Sequence, residues 1–446
     1  MAISVELILG IAVATVVAVL ISRLLITQRS NKQLNDSPKD KPRPRDFTFR
    51  VDEIPAGTSR SVLETNLRTL QATALPILKD ALGTLEIRSL ATRDAHFACA
   101  TATITTPLSE ADLFRSLHKA LRAVGLPYRC DCNFLGITPL YDSEASADAC
   151  DVIAVPGLAS HAVGSWKTPG ENEVWLRDWL PKDIPNVRVL LYGYDTTLLK
   201  NESTSSIEDL SRRLLESVTT FRLSTNVCAA YSPRSINQAD ETEQTQSRPV
   251  IFIGHSLGGL LVKEALVQAY RSPDSKPIHK PLYKNCCGII FFGVPHLGLR
   301  NEALKTLVEG QPNQALVDSI VVDNESEPSH FLARISDDFA RCFHGETRVV
   351  SFYERKRSPT VEMHNGKLSK TGAKVLMVTR KSATSTGITG VSEEDNIPLE
   401  EDHSGLVKFQ SRGQDAYSVV RERIRSFVSK AASVDNYEGK DTNAYG

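Results

Sequence analysis

Charge of one sign is the first thing this 446-residue chain lacks, since 52 lysines and arginines stand against 53 aspartates and glutamates. Without a basic or acidic excess, nothing in the composition points to a nucleic-acid or other polyanionic partner. Paired cysteines are missing too. Cys99, Cys130, Cys132, Cys150, Cys228, Cys286, Cys287 and Cys342 are thinly spread, and no C-x-x-C occurs. Cys130-Asp131-Cys132 has the wrong spacing for a zinc knuckle, so a disulfide framework, a structural metal and a cofactor are all left out of the expectation. Free thiols in a reducing compartment are the default.

Long apolar runs are scarce, and Val5 to Ile26 is the one of bilayer length. Met1 to Glu6 carries no basic side chain, which argues against a cleaved signal peptide; Arg23, Arg29, Lys32, Lys39, Lys41, Arg43 and Arg45 all come later. The expectation is a transmembrane anchor over residues 1–27, with Arg23 snorkelling to the interface and the rest of the chain on the cytosolic side. Residues 28–45, rich in Lys, Asp, Pro and Asn, read as a polar linker. Residues 433–446 read as a disordered tail.

A small α+β unit is expected over 46–135. Phe47–Val51 alternates like a strand, and Arg60–Leu82 carries apolar residues at helical spacing. Leu85–Leu90 and Phe97–Thr106 read as strands paired around Thr92-Arg93-Asp94. Glu110–Val124 reads as a helix and Tyr128–Cys132 as a closing strand. That βαββαβ order is ferredoxin-like, a layout shared with RNA-recognition motifs. Aromatics are too few for that second use: the central strand offers Phe97 where base stacking needs two or three.

From 136 to 432 the pattern changes to near-continuous apolar strands alternating with helices. The strands are Asp151–Val155, Val187–Tyr192, Val250–Ile253, Cys287–Phe292, Arg348–Tyr353 and Lys374–Thr379. Helices are expected at Asn172–Trp179, Ile207–Phe221 and Asp415–Ala431, with a polar, mobile stretch at Ser232–Arg248. Such an order predicts a mostly parallel sheet covered on both faces, with the chemistry at the carboxyl ends of its strands. No repeat array follows.

One stretch organises this region: Val250–Ile253 runs through Gly254-His255-Ser256-Leu257-Gly258 into a helical Gly259–Leu266. A G-x-S-x-G motif between strand and helix is a nucleophile elbow, in which the serine is held in a strained turn at the positive end of a helix. A capping serine in a glycine-rich turn is the plainer alternative. A serine nucleophile needs a histidine base near neutral pH, and in this fold the base follows the last strand. Of the histidines beyond residue 340, His344 precedes a strand and His364 lies in a polar hairpin, which leaves His403. Glu354 ends the penultimate strand at the sheet's carboxyl edge, where this fold delivers the acid. Its alternative role is a salt bridge to Arg355-Lys356-Arg357. Other candidate acids are Glu362 and the acidic run Glu393, Glu394, Asp395, Glu400, Glu401 and Asp402.

The ordered set Val155–Trp166, Tyr192-Gly193-Tyr194-Asp195, Gly254–Gly259, Phe291–Gly298, Ser351–Glu354 and Asp402–Phe409 resembles the lipase-like serine esterases of the serine-active-site-containing family. The likeness covers roughly residues 135 to 430, and the Phe134–Tyr141 lead-in resembles fungal members. It implies an α/β-hydrolase acting on lipid esters by hydrolysis or acyl transfer, at mitochondrial or endoplasmic reticulum membranes. It also matches Glu354 to the family's acid. The family's His-Gly-Leu-Gly run is here Pro156-Gly157-Leu158-Ala159, so the backbone N–H groups of Leu158 and Leu257 are the expected oxyanion hole. Tyr192–Asp195 and Pro295-His296 read as structural. Leu299–His344, with its short apolar helices, is a candidate lid. A hydrolase fold kept as a silent scaffold or binding module is the rival reading.

Overall fold

The computed structural model describes residues 44–441 except 74–84, 144–148, 231–247, 276, 344–347, 361, 365–366 and 370. The expected anchor and almost all of the linker therefore lie outside the described residues. Among those described, no helix is long and apolar enough to cross a membrane.

The N-terminal unit is built from β1 (Arg45–Pro55), α1 (Arg60–Thr73), β2 (Leu85–Thr92), β3 (Phe97–Thr106), α2 (Glu110–Ala123) and β4 (Arg129–Asp131). Its sheet runs β2-β3-β1-β4, with every neighbouring pair antiparallel. Phe49, Val51, Ile87, Ala100, Ala102 and Ile104 form one core with Leu63, Leu67, Leu113 and Leu117 of the helices. Residues alternating with these on β1 and β3, among them Arg50, Thr101 and Thr103, belong to the other face, as the pleat requires.

That second face is not open. Arg50 donates to Thr138 Oγ1 at 3.1 Å and to the Leu135 carbonyl at 3.0 Å, while Arg177 reaches Thr101 Oγ1 at 3.3 Å. The larger unit thus covers the face on which an RNA-recognition sheet would stack bases.

The second sheet starts from β5 (Gly136–Tyr141), a strand not anticipated from the sequence because Pro139 interrupts its apolar pattern. It continues through β6 (Cys150–Val155), β7 (Val187–Gly193), β8 (Val250–His255), β9 (Cys286–Phe292), β10 (Arg348–Glu354) and β11 (Asn396–Leu399). The spatial order is β11-β10-β9-β8-β6-β7-β5, parallel throughout apart from the antiparallel edge strand β5. Helices α3 (Ile207–Ala230), α4 (Leu257–Tyr270) and α5 (His330–Cys342) share one core with the sheet, and α6 (Asp415–Asp441) packs into the other. Every residue of β6, β7 and β8 is buried, which explains their unbroken apolar sequences. This is an α/β-hydrolase-like architecture.

Three expectations need correction. The last strand is Asn396–Leu399, not Lys374–Thr379. Of the latter only Lys374–Val375 pairs, with Ser358–Pro359, because the N–H groups of Met377 and Val378 bond to the Glu354 carboxylate instead. The helix expected at Asn172–Trp179 is two short turns, Trp175–Asp178 and Leu180–Asp183, with Pro181 opening the second. Finally, α3 and α6 outrun their predicted ends at Phe221 and Ala431. Residues 222–230 and 432–441 hold no proline, and α6 continues to Asp441 through part of the expected tail.

Candidate active site

The sharp turn after β8 carries Ser256 at φ 51°, a conformation that strains a residue with a side chain by about 1–3 kcal/mol. The surroundings enforce it. Ser256 N–H bonds to the Phe292 carbonyl at 2.9 Å, and Gly259 N–H to the Ser256 carbonyl at 3.0 Å. Gly254 lies against Gly259 of α4. A Cβ on Gly258 would come within 2.3 Å of the Pro156 carbonyl oxygen, so only glycine fits there. Gly157 is similarly confined: its Cβ would meet that of Ser256 at 2.9 Å.

His403, from the loop after β11, brings Nε2 to 3.0 Å from Ser256 Oγ. Its Nδ1 lies 2.7 Å from Glu354 Oε2. Glu354 ends β10 with a fully buried side chain. Its other oxygen accepts the Met377 N–H at 2.6 Å and the Val378 N–H at 3.3 Å. These two bonds fix the plane of the carboxylate. The carboxylate makes Nδ1 the protonated ring nitrogen, leaving Nε2 as the acceptor facing Ser256. Backbone contacts hold the residue in place: His403 N–H donates to Ser358 Oγ at 3.0 Å, and the His403 carbonyl accepts from His255 Nε2 at 3.0 Å.

Four of the competing acids are engaged elsewhere. Asp395 pairs with Arg423 at 2.9 Å, Glu393 with Arg380, and Glu401 with Lys356 at 3.8 Å. Asp402 accepts the Gly405 N–H at 2.8 Å. His364 sits in a two-stranded ribbon, Glu362–His364 with Lys367–Ser369, and His344 lies outside the described residues.

Leu158 lines the same cavity as Ser256, and Leu257 follows the serine directly. Leu257 opens α4, where the first N–H groups of a helix have no intrahelical partner. Among the described residues, no hydrogen bond engages the N–H of Leu257 or that of Leu158. Both are therefore left without an acceptor among the described residues.

Ser256 and His403 open into a cavity of about 470 Å³. Leu158, Leu198, Leu299, Leu304, Ile320 and Met377 give it an apolar wall, and His161, Ser165, Asp402 and Lys408 line a polar part. Three of the apolar residues come from the Leu299–His344 stretch, so the segment expected as a lid forms one wall of this cavity. No group of three or more metal-ligating side chains occurs among the described residues.

The chain is similar to Protein SERAC1. It is 28% identical to the zebrafish (Danio rerio) protein over 297 residues and 27% identical to the human one over 298. Each match takes in 63% of this chain but 39% of the relative's length. The mouse protein is 29% identical over 222 residues, 46% of this chain and 30% of that protein. These relatives are vertebrate, and they lend no support to a fungal type. No protein-family model matches the chain.

Among solved structures, the Bacillus licheniformis lipase BlEst2 aligns with a TM-score of 0.33 and 15% identity, over 61% of this chain and 92% of that one. A lipase-esterase related protein from Clostridium acetobutylicum gives 0.33 and 13%, over 66% and 99%. The strand order and the elbow themselves define the fold.

Sequence reasoning missed the supports of the site. Ser358 and the Met377-Val378 backbone carry no motif. Tyr194 did have a signal, the Tyr-Gly-Tyr-Asp run, whose contact with the Pro156 carbonyl is visible only in three dimensions.

Proposed function

We propose that this protein is a carboxylic ester hydrolase in which Ser256 is the nucleophile, His403 the general base and acid, and Glu354 the residue that orients His403 and stabilises its charged form. The observation that carries the reading is the unbroken relay from Oγ through Nε2 and Nδ1 to a buried carboxylate, at 3.0 and 2.7 Å. His403 Nε2 takes the hydroxyl proton as Oγ bonds to the ester carbonyl carbon. The resulting oxyanion lies against the N–H groups of Leu158 and Leu257, where the N-terminus of α4 favours negative charge. Collapse breaks the bond to the alcohol oxygen, which receives the proton from Nε2. Water then repeats the sequence on the acyl-enzyme and releases the acid. An acceptor alcohol in place of water would make the same site an acyltransferase.

The apolar wall favours an acyl chain, so lipid esters are the proposed substrate class. The apolar run Val5 to Ile26 supports an anchor that holds the domain at a membrane, facing the cytosol; the family resemblance suggests the mitochondrial or endoplasmic reticulum surface. The β4-β1-β3-β2 order supports a ferredoxin-like reading of the N-terminal unit. Labelling of Ser256 by a fluorophosphonate probe tests the central assignment without knowledge of the substrate.

A further inference from the structure

The Tyr192-Gly193-Tyr194-Asp195 run at the end of β7 performs no step of the chemistry above, yet it grips a loop that does. Tyr194 is buried, and its hydroxyl donates to the Pro156 carbonyl at 3.0 Å. Two residues on, the Thr196 carbonyl accepts the Ala159 N–H at 2.9 Å, and Thr196 Oγ1 donates to the Ser160 carbonyl at 2.5 Å. Ser160 Oγ closes the loop on itself by donating to the Gly157 carbonyl at 2.6 Å. The Pro156, Gly157 and Ser160 carbonyls are thus all held, and the N–H of Leu158 is left for another acceptor.

Two features give this bracing a purpose. Ala159 sits at φ 54°, a left-handed conformation that strains a residue with a Cβ, so the loop would relax if released. The Pro156 carbonyl is also the atom against which Gly258, in the first turn of α4, is packed. A hydrogen bond to that oxygen therefore ties the loop bearing the Leu158 N–H to the helix bearing the Leu257 N–H. Burial pushes the Tyr194 phenol pKa up, so its hydroxyl remains a donor over any working pH.

We propose that Tyr194, seconded by Thr196, is a positioning residue of the oxyanion hole, holding the 156–160 loop so that the Leu158 and Leu257 N–H groups converge on one oxygen. This rests on the reading of Ser256 as nucleophile. The neighbouring Tyr192 supplies the control: its ring is stacked on that of Tyr194, 6.2 Å between centroids, but its hydroxyl makes no hydrogen bond to the loop.

Tyr194→Phe removes one oxygen. With a p-nitrophenyl ester, kcat should fall about 10- to 100-fold while KM stays within about twofold. A trifluoromethyl ketone inhibitor, whose hemiketal oxyanion needs the same hole, should weaken in parallel, whereas Tyr192→Phe should leave both values within about twofold. Fluorophosphonate labelling of the wild type separates the two failures. An unlabelled, inactive wild type overturns the Ser256 reading and the brace with it. A labelled, active wild type in which Tyr194→Phe behaves like Tyr192→Phe overturns the brace alone. Should Tyr194→Phe fail to fold, Thr196→Val carries the test through loss of its Oγ1 strut: lowered kcat and weakened ketone binding support the brace, and unchanged values refute it.

Discussion

Glu354 shows how much a single residue owes to groups that sequence does not reveal. Its place at the end of a strand can be inferred, and that is enough to prefer it over the six acidic side chains between Glu393 and His403. The reason it prevails is local: two backbone N–H groups on one oxygen and the His403 ring on the other. Glu354→Gln keeps the shape but loses the charge that stabilises the imidazolium and selects its tautomer. Turnover of an ester substrate should fall roughly 10²- to 10⁴-fold with the fold retained by circular dichroism. Near-wild-type turnover in that variant, with a large loss in Asp395→Asn, would move the acid to the turn that leads into β11.

At the scale of elements, the elbow and α4 are the most legible in sequence, because a strand, a glycine-flanked serine and a helix follow one another without interruption. The β11 strand is the least. It is four residues long, contains Pro398 and is flanked by acidic side chains, so its membership of the sheet comes from pairing with β10 and not from any pattern of its own. Helix α4 also hides a charge. Lys263 is fully buried, donates to the Thr386 carbonyl at 2.9 Å and lies 3.3 Å from His296 Nδ1. Burial pushes its ammonium down to about 7, and burial together with Lys263 holds His296 well below the usual imidazole range. Between about 7 and the ordinary 10.5, Lys263 is neutral in the fold and protonated in the unfolded chain. The unfolded state then binds more protons, so this group makes stability rise with pH across that window. Lys263→Met removes the dependence. Its melting temperature relative to wild type should therefore fall as the pH is raised from about 7 to about 9.5, and a constant difference would contradict the burial argument.

The molecule as a whole joins two units through a polar seam that composition alone does not foretell. Alternation in β1 and β3 reveals two faces but not that Arg50 and Arg177 seal one of them. The proposed anchor belongs at this scale as well. Val5 to Ile26 should make the protein resist alkaline carbonate extraction and leave its bulk open to protease added outside intact organelles. Release into the soluble fraction, or protection of the bulk, would rule out that topology.

All of the proposed chemistry requires Ser256 to be an activated nucleophile. Incubating the full chain with a fluorophosphonate probe and mapping the adduct by mass spectrometry measures this directly. The prediction is one modified residue, Ser256, with labelling abolished in Ser256→Ala and greatly slowed in His403→Ala. A folded wild type that takes up no probe, or takes it up equally after Ser256→Ala, would contradict the account and leave the fold as a silent scaffold.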